Sequence, residues 1–307
     1  MSVVPVHAPV HVIGASGRSG AALCRALLAQ GTPIVPVVRD PARWALHGLA
    51  ANPLASNPLA SNPLAAPPRV ADLADGAALR AALADAGRIV SGAHARHAGA
   101  VIDAAPEAAR LVFLGSTRKF TRWPDAHGAG VLRGEAAFTA SGRRGVMLHP
   151  TMIYGASGEN NVQRLAALLR RLPVVPLPAG GRALVQPIHQ DDVTAAILAA
   201  LAIDWDAPRC LVIAGPAAIS YRRFVAAIAA AAGLPPPRIV ALPAALLLLA
   251  APLTRLLPLV PRIERAEIRR LLEDKAFDIG PMRQILGIAP VGLAEGLART
   301  FARSQNG

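Results

Sequence analysis

Cysteine, lysine and tyrosine are the scarce residues of this 307-residue chain, and each shortage closes an option. The two cysteines, Cys24 and Cys210, are too few for a disulfide framework. Neither has a second metal ligand at the usual sequence spacing, so no metal site is expected. Lysine occurs only as Lys119 and Lys275; the other basic residues are arginines, scattered along a chain of formal net charge +13. That balance suits phosphates, nucleic acid or an anionic membrane surface. Aromatic residues make up 4% of the chain and none interleave with a basic tract, which argues against nucleic-acid binding. No charged leader runs into an apolar core at the start, so a cytoplasmic location is the expectation. The uncharged run from Ile239 to Thr254 is 16 residues long and holds Pro243 and Pro252. That is short of the roughly 20 apolar residues a membrane span needs. It reads as part of a packed helical lobe, with attachment to a membrane surface as the alternative.

What is present begins with the stretch His11 to Leu28. The short apolar run Val10, Val12, Ile13 breaks into Gly14, Gly17 and Gly20, and then becomes a segment with helical apolar spacing. This pattern predicts a buried strand, a tight turn and a helix start. The glycines let the backbone come close to a pyrophosphate, which rests on the open amides and positive end of the helix.

Apolar runs at Pro33–Val38, Arg69–Leu73, Arg88–Ser91, Leu111–Leu114, Val146–Pro150 and Leu211–Ile213 predict further strands. Helical patterns lie between them, at 76–86, 98–109 (or shorter, since Pro106 can cut it), 161–172 and 221–232. Alternation of this kind argues for a Rossmann-type, doubly wound parallel α/β sheet covered on both faces. The pentapeptide Asn52-Pro53-Leu54-Ala55-Ser56 recurs from Asn57 and again from Asn62. Three copies are too few for a solenoid, and the stretch 52–68 reads as a low-complexity surface loop. The expected organisation is a dinucleotide-binding domain over 1–155, to which 181–200 and 209–214 return. A smaller, mostly helical C-terminal lobe over 156–180 and 215–307 holds the substrate. The end of the second strand is where such a fold reads the adenosine ribose. Arg39 there suits the 2′-phosphate of NADP(H), aided by Arg18, whereas Asp40 suits the free hydroxyls of NAD(H); NADP(H) is favoured.

These pieces together resemble the extended and atypical short-chain dehydrogenase/reductases, the group containing nucleotide-sugar epimerases and dehydratases. Gly14-Ala15-Ser16-Gly17-Arg18-Ser19-Gly20 matches the cofactor turn, and Asp72-Leu73 the adenine-contacting pair. Gly115-Ser116-Thr117 stands where the family places its active-site Ser/Thr. His149-Pro150-Thr151-Met152-Ile153-Tyr154-Gly155 is similar to the Arg-Pro-x-x-x-Tyr-Gly segment beside the nicotinamide. Pro187 to Val193 resembles the His-x-Asp-Asp-Val segment, whose Asp191 and Asp192 would cap and anchor their helix. The resemblance implies cofactor contacts at Gly14, Ser16, Gly17, Arg18, Ser19, Gly20, Asp72, Leu73, Gly115, Ser116, Pro150 and Met152.

One departure is large. The family's chemistry uses a Tyr-x-x-x-Lys pair on one helix face. Here, four residues beyond Tyr154 and Tyr221 stand Gly158 and Val225, so the pair does not exist. The corresponding helix offers Ala129 and Arg133 instead, and a guanidinium can hold a ribose but does not donate a proton. The catalytic candidates are Ser116, Thr117, His127 and Arg133, with Lys119 and Glu135 also within the segment. His127, placed just ahead of the helix, is the one that titrates near neutrality. Lys119, Tyr154, Asn160, Asn161 and Arg164 are the candidates for holding a small-molecule substrate, of which a nucleotide sugar is one. A non-catalytic nucleotide sensor and a membrane-associated accessory subunit are the competing readings.

Overall fold

The first apolar run becomes the centre of a parallel sheet. The computed structural model describes residues 8–49, 64–155, 161–172, 174–251 and 265–305. Along the chain the elements are β1 (Val10–Ile13), α1 (Arg18–Ala29), β2 (Ile34–Val38), α2 (Pro41–Ala45), β3 (Arg69–Val70), α3 (Gly76–Leu83), β4 (Arg88–Ser91), α4 (Ala98–Ala104), β5 (Arg110–Leu114), α5 (Ala126–Ala140) and β6 (Gly145–Pro150). They continue as β7 (Ile153–Tyr154), α6 (Asn161–Arg171), β8 (Val174–Pro178), β9 (Leu184–Val185), β10 (Ile188–His189), α7 (Gln190–Ala202), β11 (Pro208–Ile213), β12 (Ile219–Ser220) and α8 (Tyr221–Ala231). The last are β13 (Arg238–Leu242), α9 (Ala244–Ala250), α10 (Arg265–Arg270), α11 (Gly280–Leu286) and α12 (Leu293–Gln305).

Seven strands lie in the order β11-β6-β5-β4-β1-β2-β3, every neighbouring pair parallel. Strands β1 and β2 are buried along their whole length, which is why they are almost wholly apolar rather than alternating; the exception, His11 of β1, is buried with its Nε2 3.1 Å from Asp85 Oδ1. Leu23 and Leu27 of α1 and Val193 and Ile197 of α7 close one face. Leu79 of α3, Val101 of α4 and Phe138 of α5 close the other, the Phe138 ring meeting Phe113 edge-on at 5.1 Å. Connections leave β1 and β4 toward opposite sides, so a crevice opens at their carboxyl ends.

The smaller lobe has its own core of Val162, Leu169, Leu177, Phe224, Ile228 and Leu297. It carries short strand pairs as well as helices: β8 with β13, and β9 with β12. Helix α11, expected within the lobe, instead buries Met282 and Leu286 in the main core.

Of three local outcomes, the first follows the proline as expected and the other two differ from the sequence expectation. Helix α4 stops at Ala104, two residues before Pro106, because the residue preceding a proline is pushed out of the helical region. Asp40 starts an unforeseen short helix, α2, with Pro41 in its first turn, a favoured pairing of N-cap and N1 residues. The run from Ile239 to Thr254 is not one helix. Its first part is strand β13, paired in parallel with β8, and Pro243 separates that strand from α9. Residues 252–254 lie outside the described residues, as do 52–63 of the repeat. The end of the repeat loop reaches the sheet: the Ile34 amide donates to Leu64 O at 2.8 Å, and Ala65 is buried.

Candidate active site

The glycine turn is built as its spacing requires. Gly14 has φ +75°, and its amide donates to Val37 O at 3.0 Å while its carbonyl accepts from the Gly17 amide at 2.9 Å. A Cβ on Gly20 would stand 2.2 Å from Gly14 O, so Gly20 is what lets α1 begin directly under the turn. At Gly17 the crowding is milder, a Cβ there meeting the same oxygen at 3.1 Å, which a shift of a few tenths of an ångström relieves. It is the N-cap of α1, with no side chain capping the helix. The first-turn amides therefore remain open at the positive end of the helix, a cradle that fits a dinucleotide pyrophosphate. Ser19 also ties the turn to the start of α7, its hydroxyl donating to Gln190 Oε1 at 2.8 Å. The Ser16 carbonyl lies 3.1 Å from His47 Nε2, which brings that histidine beside the turn.

At the end of β2, Arg39 and Asp40 are both exposed. The Asp40 carboxylate accepts from the Ala42 and Arg43 amides at 3.0 and 3.2 Å and thereby caps α2. Asp72, after β3, accepts from the Ala74 amide at 2.9 Å, with Leu73 half-buried beside it.

Two cavities follow the strand ends. The first, about 290 Å³, is lined by Ser19, Gly92, His94, Gly115, His127 and Pro150 among others. The second, about 500 Å³, opens toward the lobe between Ser116, Thr117, Phe120, Met152, Asn161 and Phe277. It also holds Arg118, Arg122, Arg270 and Lys275, and the acids Glu273 and Asp274. Both acids already have partners: Glu273 accepts from Thr121 Oγ1 at 2.9 Å and from the Arg122 amide, and Asp274 from the Leu184 amide at 2.8 Å. Phe120 and Phe277 face each other at 5.6 Å, an apolar wall in a cationic cleft.

His127 lines both cavities. It lies inside the first turn of α5 rather than ahead of it, edge-on to His94 at 4.4 Å. Burial and then the charge of Arg118 hold its pKa below the ordinary histidine value, so it is neutral at pH 7. Ser116 Oγ accepts from the Arg118 amide at 3.1 Å, which leaves its own proton to donate. Thr117 Oγ1 donates to Pro150 O at 3.2 Å.

Beneath this floor lies a group of charges that look, in the sequence, like separate surface residues. Lys119, with 9% of its side chain exposed, lines neither cavity and pairs with Glu135 of α5. The Glu135 carboxylate also accepts from His149 Nε2 at 2.9 Å. On the other side of that ring, the Ser116 amide donates to Nδ1 at 3.2 Å, so the proton sits on Nε2. His149 thus stands in a polar network. Burial, and next the Lys119 ammonium, push its pKa down to about 4. The network joins the turn after β5, the end of β6 and α5. Cys210 of β11 brings its sulfur within 4.8 Å of the Glu135 and His149 ligand atoms, a proximity that sequence spacing did not reveal. The Lys119 ammonium already supplies the cation at that place.

Several substrate candidates are displaced by the fold. Lys119 is spent on Glu135. Tyr154 is 1% exposed and belongs to the lobe core, its ring 5.2 Å from His189; burial raises its pKa. Arg133 is exposed on α5 and lines neither cavity. Arg164 is exposed on α6, while Asn161 reaches the larger cavity; Asn160 lies outside the described residues. Of the acidic pair on α7, Asp192 accepts from the Val291 amide at 3.1 Å and so anchors the C-terminal segment. The capping itself falls to His189, which accepts from the Asp191 amide at 3.2 Å.

No protein-family model matches the chain, and no curated protein does. Solved structures do. The NADPH-dependent quinone oxidoreductase QOR2 from Escherichia coli, complexed with NADPH, superimposes with a TM-score of 0.69 at 21% identity, over 95% of this chain and 99% of that one. UDP-glucuronic acid 4-epimerase from Bacillus cereus, in complex with UDP-glucuronic acid and NAD, gives 0.69 at 16% identity over 98% and 100%. DesIV, the dTDP-glucose 4,6-dehydratase from Streptomyces venezuelae, with NAD and TYD bound, gives 0.69 at 17% identity over 97% of each chain. At these identities the likeness establishes the fold.

Proposed function

From a chain with the fold of NAD-dependent epimerases, dehydratases and reductases, we propose an NADP(H)-dependent oxidoreductase whose proton-transfer group is His127. The observation that carries this reading is that His127 lines both the crevice at the glycine turn and the cleft toward the lobe. A bound nicotinamide supplies or accepts hydride. The protein's own part is to hold the dinucleotide on the Gly14–Gly20 turn, orient the substrate oxygen with the Ser116 hydroxyl, and move a proton at His127. Burial and neighbouring arginines keep His127 in the neutral form that can accept a proton from a substrate hydroxyl, while making it a weaker base than a free imidazole.

Two arginines support NADP(H). Arg39 follows β2, Arg18 is exposed in the turn, and Asp40 has its carboxylate engaged in capping α2. Guanidinium groups hold a 2′-phosphate by forked hydrogen bonds. One such contact contributes about 1.5–3 kcal/mol, roughly one to two orders of magnitude in affinity. For substrate, nucleotide sugars come first: the cationic, Phe-walled cleft suits a diphosphate and a base, and neighbours of the same fold are complexed with UDP-glucose and UDP-glucuronic acid.

Calorimetry with NADPH and NADH on wild type and Arg39→Ala tests the cofactor, and turnover of a nucleotide-sugar and quinone panel by His127→Asn tests the chemistry. Wild type should prefer NADPH, Arg39→Ala should lose that preference, and His127→Asn should bind cofactor yet lose turnover. An NADH preference would make Asp40 the reader. Full turnover in His127→Asn would remove the histidine from the mechanism. Tight dinucleotide binding without turnover of any panel member would favour the sensor reading, which the missing Tyr-x-x-x-Lys pair motivates.

A further inference from the structure

Of the uncharged run expected inside a packed lobe, the described part lies largely on the surface. Helix α9 reads Ala-Ala-Leu-Leu-Leu-Leu-Ala, and none of its residues is buried. Leu246 is 55% exposed and Leu249 69%; three apart on a helix, they share one face. The strand pair that leads into α9 also exposes apolar side chains. In the β8–β13 register Val174 faces Arg238, so both lie on the same side of the pair as Val240, two residues along. Val174 is 43% and Val240 42% exposed, whereas Val175 and Leu177 turn inward to the lobe core.

Among the described residues the charges placed about this apolar strip are mainly arginines, with Glu267 of α10 the acid among them. Across β8, β13 and α9 the only charged residue is Arg238. Arg265, at the start of α10, donates to Leu248 O at 3.1 Å and so holds its guanidinium against α9. Arg170 and Arg171 end α6 just before β8. An apolar strip rimmed by arginines, on a chain of formal net charge +13, has the chemistry of an interfacial membrane contact: leucines enter the acyl boundary while guanidinium groups meet anionic headgroups. Among the described residues no helix is long and apolar enough to cross a membrane, so this is attachment rather than a span.

We propose that the face formed by Val174, Val240, Leu246 and Leu249, with Arg238 and Arg265 at its rim, docks the protein on an anionic lipid surface. The surface is independent of the cofactor turn, so the proposal stands or falls separately from the oxidoreductase reading.

The test is flotation of the full-length protein with vesicles of phosphatidylcholine alone and of phosphatidylcholine containing about one-third phosphatidylglycerol. Wild type should float with the anionic vesicles and remain below with the neutral ones. Leu246→Glu/Leu249→Glu should weaken partitioning by roughly tenfold or more, from lost apolar burial and added repulsion. Arg238→Glu, which leaves the leucines in place, should weaken it as well. High salt should weaken wild-type binding, because the Debye length falls to about 3 Å at 1 M. Unchanged melting and NADPH titrations would show that the variants are folded. Failure of wild type to float with anionic vesicles would overturn the proposal, as would equal flotation by the leucine variant. If sedimentation instead showed a wild-type dimer that the leucine variant abolishes, with no flotation, a second copy of this chain would be the occupant.

Discussion

Replacing Lys119 by methionine tests whether the charges beneath the active-site floor act as one unit. In the folded protein His149 titrates at about 4, against an ordinary value of 6.5, because burial and then the Lys119 ammonium oppose its protonation. The unfolded chain therefore binds this proton first. Above pH 6.5 the difference costs nothing; as pH falls from 6.5 to 4 the folded state loses stability, and below 4 the loss stops growing. Across that window the loss is about 3 kcal/mol, at roughly 1.4 kcal/mol per pH unit. Methionine removes the opposing ammonium and leaves Glu135, which favours the imidazolium. The His149 pKa should rise toward its ordinary value, and the acid-dependent loss should shrink by about 1–2 kcal/mol. At pH 7 the same substitution should cost about 3 kcal/mol, because a mostly buried carboxylate loses its cation. Urea melts at pH 7 and near pH 4.5 read both effects. His11, His94, His97 and His127 also have lowered pKa values, and the comparison of variant with wild type cancels their share. A protonated Nδ1 cannot accept from the Ser116 amide, so hydrogen exchange at Ser116 should also speed up in the variant near pH 5. If both proteins lost the same stability between the two pH values, Lys119 would not be controlling His149.

The glycine turn offers a pair of contrasting variants. Gly17→Val should abolish dinucleotide binding and leave the melting curve nearly unchanged, whereas Gly20→Ala should destabilise the protein, since its Cβ would meet Gly14 O at 2.2 Å. Calorimetry with NADPH and a thermal melt separate the two outcomes; binding by Gly17→Val at wild-type strength would end the cradle reading. Deleting Asn57–Ser61 should leave the melting temperature close to wild type, because doubling a loop's length changes closure entropy by only about 0.6 kcal/mol. Replacing Ala65 by a charged residue should lower it, since that position is buried against Ile34.

The sequence by itself determined the parts of this protein that depend on short-range pattern. Buried central strands need continuous apolar runs, so β1, β2, β5 and β6 were legible. A turn that closes against its own helix needs glycine at fixed offsets, so the cofactor cradle was legible too. Asp40 and Pro41 carry a helix-start signal that is easily overlooked, because the same position poses the question of cofactor choice. Other features existed only once the sheet was assembled. His149, Lys119 and Glu135 are 14 to 30 residues apart, and the parallel order of β5 and β6 with α5 across them makes their charges one network. Tyr154 looked like a substrate contact by motif, yet the short pairing of β7 with β10 turns it into the lobe core. The apolar run after Arg238 has a composition that fits a packed helix and a surface strip equally well. Its partner strand β8, from far earlier in the chain, decided between them, because pairing one side of β13 inward leaves Val240, and α9 beyond it, facing out.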